Sequence, residues 1–243
     1  MPSAPLPLAI ALLLLPWALA PRAGQGDELR GALPLLWYLD RLYCFALHRL
    51  DAPRMAPLPA TGGAILISNH TCGIDNMLLQ ATTRRILGFL IAREFYDLWF
   101  CRPFCRLLRC IPVKRDGRDL AATRAALRAL GEGRVVPIFP EGHIVPTAGR
   151  ELGEGKPGVA FIALTAGVPV IPAYISGTPE TNDVFKALRT PSTARVVFGE
   201  PVDLSGFRHD GRPDRATLAA ATEHLMAAIR DLRDRERAES CPT

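Results

Sequence analysis

Hydrophobic positions along the chain fall into two spacings. Short apolar runs read as buried strands: Ala64 to Ile67, Gly88 to Ala92, Val135 to Phe139, Val168 to Ile175 and Ala194 to Phe198. Between them, apolar residues recur every three or four positions. Ile74, Met77, Leu78 and Leu79 predict a helix with one buried face. Leu120, Thr123, Leu127 and Leu130 predict an amphipathic helix over Asp119 to Leu130, with Arg118, Arg124 and Arg128 outside and Gly131 and Gly133 at its exit. Pro157 can open a helix that Gly167 ends. Leu218, Leu225, Ile229 and Leu232 form the stripe of a last helix, from Asp214 to about Arg237. Pro169 and Pro172 place the Val168 to Ile175 strand near an edge or at a strand end. Strands alternating with helices predict an α/β fold with a central, partly parallel sheet flanked by helices.

The first part of the chain is patterned differently. Pro5 to Ala20 is an uncharged run of 16 residues. As a helix it would span roughly 24 Å, short of a bilayer core of about 30 Å. Ala18-Leu19-Ala20 is a small-x-small site like that of a signal peptide. Yet no Lys or Arg precedes the run, and Pro21 would follow the cut. An N-terminal hydrophobic helix acting as an uncleaved anchor is therefore preferred, with a cleaved signal as the alternative. Gly31 to Leu50 mixes Leu35, Leu36, Trp37, Tyr38, Leu42, Tyr43 and Phe45 with Arg41 and Arg49. It suits either a helix in the lipid head-group region or one packed on the core. Asp51 to Gly63, rich in Pro, Ala and Gly, reads as a linker. The expected organisation is a hydrophobic segment at 1–24, an amphipathic helix and linker at 25–61, and one domain at 62–243.

With 243 residues, 49% of them hydrophobic, the chain can bury one sizeable core. Its formal net charge of +5 favours anionic partners. No interleaved aromatic patch or motif points to nucleic acid. Of six cysteines, only Cys101, Cys105 and Cys110 cluster, without the pairs of a zinc ribbon or a nearby histidine. They read as reduced, mostly buried thiols, so no metal or cofactor is expected.

Candidate chemistry gathers at strand ends. His70 and Asp75 follow the first strand in Asn69-His70-Thr71-Cys72-Gly73-Ile74-Asp75. An imidazole can take a proton near neutrality, and a carboxylate can hold its tautomer. Inside one helix the two residues would lie about 140° apart. They can meet only if His70 precedes the helix and Asp75 opens it, with Gly73 easing the turn. Glu141 and Gly142 follow another strand, in Phe139-Pro140-Glu141-Gly142-His143; the carboxylate could hold a substrate hydroxyl or a basic residue, and the glycine could let backbone approach a ligand. Lys114 and Arg115 end a third and could clamp a phosphate. Lys156 precedes a helix start. Each block has an ordinary reading too: a helix cap, a surface turn, a solvated basic turn.

Taken in order, the blocks NHTCGID (69–75), IPVKR (111–115), FPEGH (139–143) and GVPVIPA (167–173) resemble the glycerolipid acyltransferase family and its HX4D motif. Lys156-Pro157-Gly158 and FGEPVDL (198–204) extend the resemblance, which runs from about Gly62 to Leu204. It implies an O-acyltransferase of phospholipid biosynthesis or remodelling. His70 would be the general base and Asp75 its orienting partner. Arg115, helped by Lys114, would bind the acceptor's phosphate; Glu141 and Gly142 would shape the acceptor site. The implied partners are an acyl-CoA or acyl carrier protein donor, a lysophospholipid acceptor such as lysophosphatidic acid, and a membrane surface on the cytoplasmic side. A positioned base contributes roughly 10²- to 10⁴-fold to such a transfer. With no G-x-S-x-G elbow, and Cys72 the only thiol nearby, no covalent enzyme intermediate is expected.

Two departures concern the acceptor. Where the family continues Gly-Thr-Arg, this chain has Gly142-His143-Ile144, leaving Arg150 or Lys156 as substitutes for the arginine. Before Arg115, Cys110, Pro112 and Val113 stand where the family carries a Gly and a Phe. The alternatives are transfer to a non-phosphorylated lipid, or a non-catalytic lipid-binding protein of the same fold.

Overall fold

A computed structural model of the chain describes residues 33–114, 119–144, 151–208, 211 and 213–240. The expected anchor at 1–24, together with Arg115, Arg118 and Arg150, lies outside them. Among the described residues no helix is long and apolar enough to cross a membrane.

In chain order the elements are α1 (Leu33–His48), β1 (Ala64–Ser68), α2 (Asp75–Ala81), β2 (Leu90–Ala92), α3 (Arg93–Tyr96), α4 (Arg102–Leu107), β3 (Ile111–Val113), α5 (Leu120–Gly131), β4 (Val135–Ile138), α6 (Gly158–Ala166), β5 (Val170–Ser176), α7 (Val184–Ala187), β6 (Arg195–Phe198), a 3₁₀ turn (Ser205–Phe207) and α8 (Arg215–Ser240). Four strands form a sheet in the order β4-β1-β5-β6, with β1 parallel to both neighbours and β6 antiparallel. β2 and β3 form a parallel pair. A parallel bridge from Leu87 to Val135 ties that pair to β4. The carboxyl ends of all five parallel strands therefore share one edge, where sites form in α/β sheets.

Strand β1 shows why the run Ala64 to Ile67 is apolar without alternation: both of its faces are covered. Ala64 and Leu66 enter one core, with Leu78 of α2 and Cys44 of α1. Ile65 and Ile67 enter the other, with Ala126 of α5, Ile162 of α6 and Leu225 of α8. These are the faces of a sheet between two helical layers.

Two expectations are corrected. The buried stripe of α5 is Ala122, Ala126, Ala129 and Leu130, while Leu120 is 63% exposed. Small side chains let α5 approach the sheet and α6 closely, so the helix is rotated away from the stripe its leucines suggest. Strand β5 is interior, between β1 and β6, despite its prolines. Pro169 lies before the strand, and Pro172 lies one residue before the first β6 pair, Ala173 with Phe198. Its carbonyl accepts from Gly199 N at 2.9 Å, so the missing N–H faces β6 at the end of that ladder, costs one bond there and leaves the β1 side intact. The last helix keeps its predicted stripe, with Leu225, Ile229 and Leu232 buried. Helix α1 is core-packed on one face, where Cys44 and His48 are buried. Trp37 Nε1 donates to Thr83 O at 2.6 Å. Its other face leaves Leu35, Leu39, Leu42 and Phe45 exposed.

Candidate active site

His70 sits in the turn after β1, and Asp75 is the first residue of α2. His70 Nδ1 lies 2.8 Å from Asp75 Oδ2. The same oxygen accepts backbone N–H bonds from Thr71 at 2.6 Å and Cys72 at 3.0 Å. Asp75 Oδ1 accepts from the Thr71 hydroxyl at 2.6 Å and from the Cys72 thiol at 3.7 Å. Every group facing this fully buried carboxylate is a donor. An acceptor-only carboxylate matches that set, so Nδ1 carries the imidazole hydrogen. Nε2 is left as the proton acceptor, and among the described residues it has no hydrogen-bond partner. The His70 side chain keeps 20% of its surface exposed, so this nitrogen can meet a ligand.

The turn itself is braced from three strands. Asn69, where β1 leaves the sheet, stands in for one more rung of the β1–β5 ladder. Its Nδ2 donates to Ile175 O at 2.8 Å, and its Oδ1 accepts from Ile175 N at 2.8 Å. The backbone can then bend toward solvent without orphaning buried groups on β5. Phe139, just past β4, stacks on the His70 ring with centroids 4.1 Å apart and planes 10° apart. After β5, the Thr178 hydroxyl donates to Thr71 Oγ1 at 2.8 Å. A chain of hydroxyls thus runs from Thr178 through Thr71 to Asp75.

Gly73 serves the turn by absence of volume, not by a left-handed backbone. A Cβ there would lie 2.6 Å from Val184 Cγ2 of α7. Gly142 does need its freedom, with φ of 71°. A Cβ on it would meet Lys156 Nζ at 2.9 Å, so the ammonium of Lys156 lies over the Gly142 backbone.

Glu141 is buried and turned inward. Its Oε1 accepts from the His70 N–H and its Oε2 from the Gly153 N–H, both at 3.2 Å. Burial pushes its carboxyl above the usual range, and those two bonds pull it partly back. It therefore braces the His70 backbone. Lys114 is exposed just after β3, and its N–H donates to Asp119, the cap of α5, at 2.8 Å. With strands about 4.8 Å apart, it stands roughly 14 Å along the edge from the strand that carries His70. The Cys72 thiol is pushed up to about 12, chiefly by burial and then by the Asp75 charge. Such a thiol supplies almost no thiolate near neutrality. Among the described residues no cluster could hold a metal ion, and Cys44, Cys72, Cys101, Cys105 and Cys110 are free.

Thr71, Phe139 and Thr178 were not singled out from the sequence. Thr71 and Phe139 stand inside the motif blocks, but only the fold tells which way they face. Thr178 is 107 residues from its partner and carries no local signal.

A family model described as Acyltransferase matches residues 51–176, more than half of the chain. The chain is 26% identical over 179 residues to the 1-acyl-sn-glycerol-3-phosphate acyltransferase of Bacillus subtilis, covering 73% of this chain and 85% of that protein. It is 26% identical over 157 residues to a probable 1-acyl-sn-glycerol-3-phosphate acyltransferase of Mycoplasma pneumoniae, covering 59% of this chain and 58% of that protein. Its fold is similar to the crystal structure of a 1-acyl-sn-glycerophosphate (LPA) acyltransferase from Thermotoga maritima. The TM-score is 0.67 at 20% identity, over 94% of this chain and 88% of the other. On the family match, this chain belongs to the Acyltransferase family.

Proposed function

We propose that this protein transfers an acyl group from a thioester, on coenzyme A or acyl carrier protein, to the hydroxyl of a 1-acylglycerol 3-phosphate or similar lysophospholipid. The observation that carries this reading is the His70–Asp75 pair, at 2.8 Å with every facing group a donor. In the proposed step, His70 Nε2 removes the acceptor hydroxyl's proton as its oxygen attacks the thioester carbonyl. The buried Asp75 carboxylate stabilises the imidazolium that forms. Collapse of the tetrahedral intermediate breaks the carbon–sulfur bond, and the leaving thiolate takes the proton back from His70. The raised Cys72 thiol favours this direct transfer over an acyl-enzyme.

Lys114, Arg115 and Lys156 are the cations we assign to the acceptor's phosphate. The names of the relatives in Bacillus and Mycoplasma support that acceptor. Association with a membrane, through the apolar face of α1 and the 5–20 segment, belongs to the same reading and would place a cytoplasmic site beside its lipid. A place in phospholipid biosynthesis or remodelling follows from the acceptor. Ile144, where the resembled family carries arginine, favours a second reading in which the acceptor has no phosphate.

A panel of lysophospholipids and monoacylglycerols with labelled acyl-CoA or acyl carrier protein separates the two. The Lys114→Ala, Arg115→Ala double variant should raise KM for the phosphorylated acceptor at least tenfold, since each hydrogen bond to a charged group contributes about 1.5–3 kcal/mol. An unchanged KM with equal use of monoacylglycerol removes the phosphate assignment. No transfer to any acceptor removes the reaction.

A further inference from the structure

Between β2 and β3 the chain crosses over through α3 and α4, and large apolar residues clothe the outside of this crossover. Trp99 is 84% exposed and Phe104 is 53% exposed, and Phe95, Phe100 and Leu107 are exposed as well. Within α4 only Cys105 is buried. An ordinary surface helix carries polar residues on that side. Three rings are connected: Trp99 and Phe100 meet edge-on at 5.7 Å, and Phe100 lies 6.5 Å from Phe185 on α7. Contiguous apolar surface of this kind marks an interaction site.

Charge selects the partner. Arg93, Arg102, Arg106 and Arg109 are interleaved with the aromatics and all exposed. Against them stand Glu94 and Asp97, and Asp97 pairs with Arg93 at 3.4 Å. Lys186 and Arg189 flank Phe185, with Asp183 capping α7. Protein interfaces also take Arg with aromatics; the excess of cations over Glu94, Asp97 and Asp183 is what favours an anionic surface here. A lipid interface takes Trp and Phe at the head-group level and Arg on phosphates.

Position selects the role. α3 begins where β2 reaches the carboxyl edge that carries His70. Val184, next to Phe185, packs on Gly73 in the His70 turn. We propose that the aromatic and arginine face of α3 and α4, continued by Phe185, docks on an anionic phospholipid bilayer and sets the His70 turn at the lipid interface. This use of the surface rests on the acyl-transfer reading, because a lysophospholipid would then pass laterally from bilayer to site.

The test is the emission of Trp99, isolated as the full chain's signal minus that of Trp99→Phe. Vesicles are equal parts phosphatidylcholine and phosphatidylglycerol, with or without brominated acyl chains. The Trp99 signal should shift to the blue and be quenched by the bromine. Arg102→Gln with Arg106→Gln, both at exposed positions, should lose most of that quenching, as should vesicles of phosphatidylcholine alone. Emission indifferent to bromine overturns the proposal, as does quenching equal with and without phosphatidylglycerol. A lipid-free chain that sediments as a dimer, with Trp99 shielded from aqueous iodide, also overturns it and assigns the face to a second copy. The reading needs no turnover. A quenched Trp99 on a protein that transfers no acyl group would refute the reaction and leave the docking surface standing.

Discussion

Thr71→Val removes one oxygen and nearly nothing else. Thr71 is 2% exposed, and its hydroxyl donates to Asp75 Oδ1 at 2.6 Å and accepts from Thr178 at 2.8 Å. Valine keeps the volume and the β-branch, so no cavity opens, and the Thr71 N–H bond to Asp75 persists. What is lost is a hydrogen bond to a charged group, about 1.5–3 kcal/mol. Asp75 Oδ1 would keep only the Cys72 thiol at 3.7 Å, a weak donor. For a chain of this size, the loss corresponds to a Tm lower by roughly 3–12 °C. The catalytic effect follows from the same bond. An Oδ1 without its donor lets the carboxylate rotate, so the imidazolium is less well held in the transition state. A kcat reduction of about tenfold with unchanged KM is expected, equivalent to about 1.4 kcal/mol. Thr71→Ser, which keeps the hydroxyl, should restore both kcat and Tm. Thermal unfolding followed by circular dichroism and steady-state acyl transfer check the two halves. Valine and serine variants with equal kcat would refute the claim that this hydroxyl positions Asp75.

Gly73→Ala would place a Cβ against Val184, and overpacking of this kind costs about 1–3 kcal/mol. Its denaturation midpoint should fall, and Val184→Ala in the same chain should recover part of the loss. Asp40 gives a pH dependence. It is a half-buried residue of α1 whose Oδ2 is buried and unpartnered, and desolvation pushes its carboxyl up to about 7 against opposing contributions from Cys44 and Arg41. A carboxyl raised on folding contributes stability below its unfolded value of about 4. That contribution is lost as pH rises through about 7, with about 4 kcal/mol as the upper bound. The stability of Asp40→Asn relative to wild type should therefore rise between about pH 5 and about pH 8; a constant gap in urea denaturation contradicts this.

How far the sequence reached depends on whether the needed contact was local. The spacing of His70 and Asp75 says how they can meet, in a turn followed by a helix start, and the structure has that arrangement; the choice of this pair rests on the downstream blocks of the resemblance. The strands were legible because burial on both faces writes itself as an unbroken apolar run, as in Ala64–Ser68. The facing of α5 was not. Alanines score as weakly apolar, so the exposed Leu120 outweighed the buried Ala122 and Ala126. The prolines of β5 leave an edge and a strand end both open, because a proline's cost depends on which neighbour its missing N–H faces; Pro169 lies at the strand end, while the interior place of β5 is a property of the assembled sheet. The turn of Glu141 onto the His70 N–H carries no local signal, because it depends on two loops meeting. Thr178 was invisible for the same reason. A hydroxyl after β5 acquires meaning only when β5 lies beside β1.

The central claim is that His70 takes the proton of the acceptor hydroxyl. Its most direct measurement is transfer of a labelled acyl group to 1-acylglycerol 3-phosphate by the full chain and by His70→Ala, with matched circular dichroism showing both folded. The account predicts transfer by the wild type and a loss of roughly 10²- to 10⁴-fold in kcat for the variant. A His70→Ala protein that turns over as fast as the wild type would contradict it.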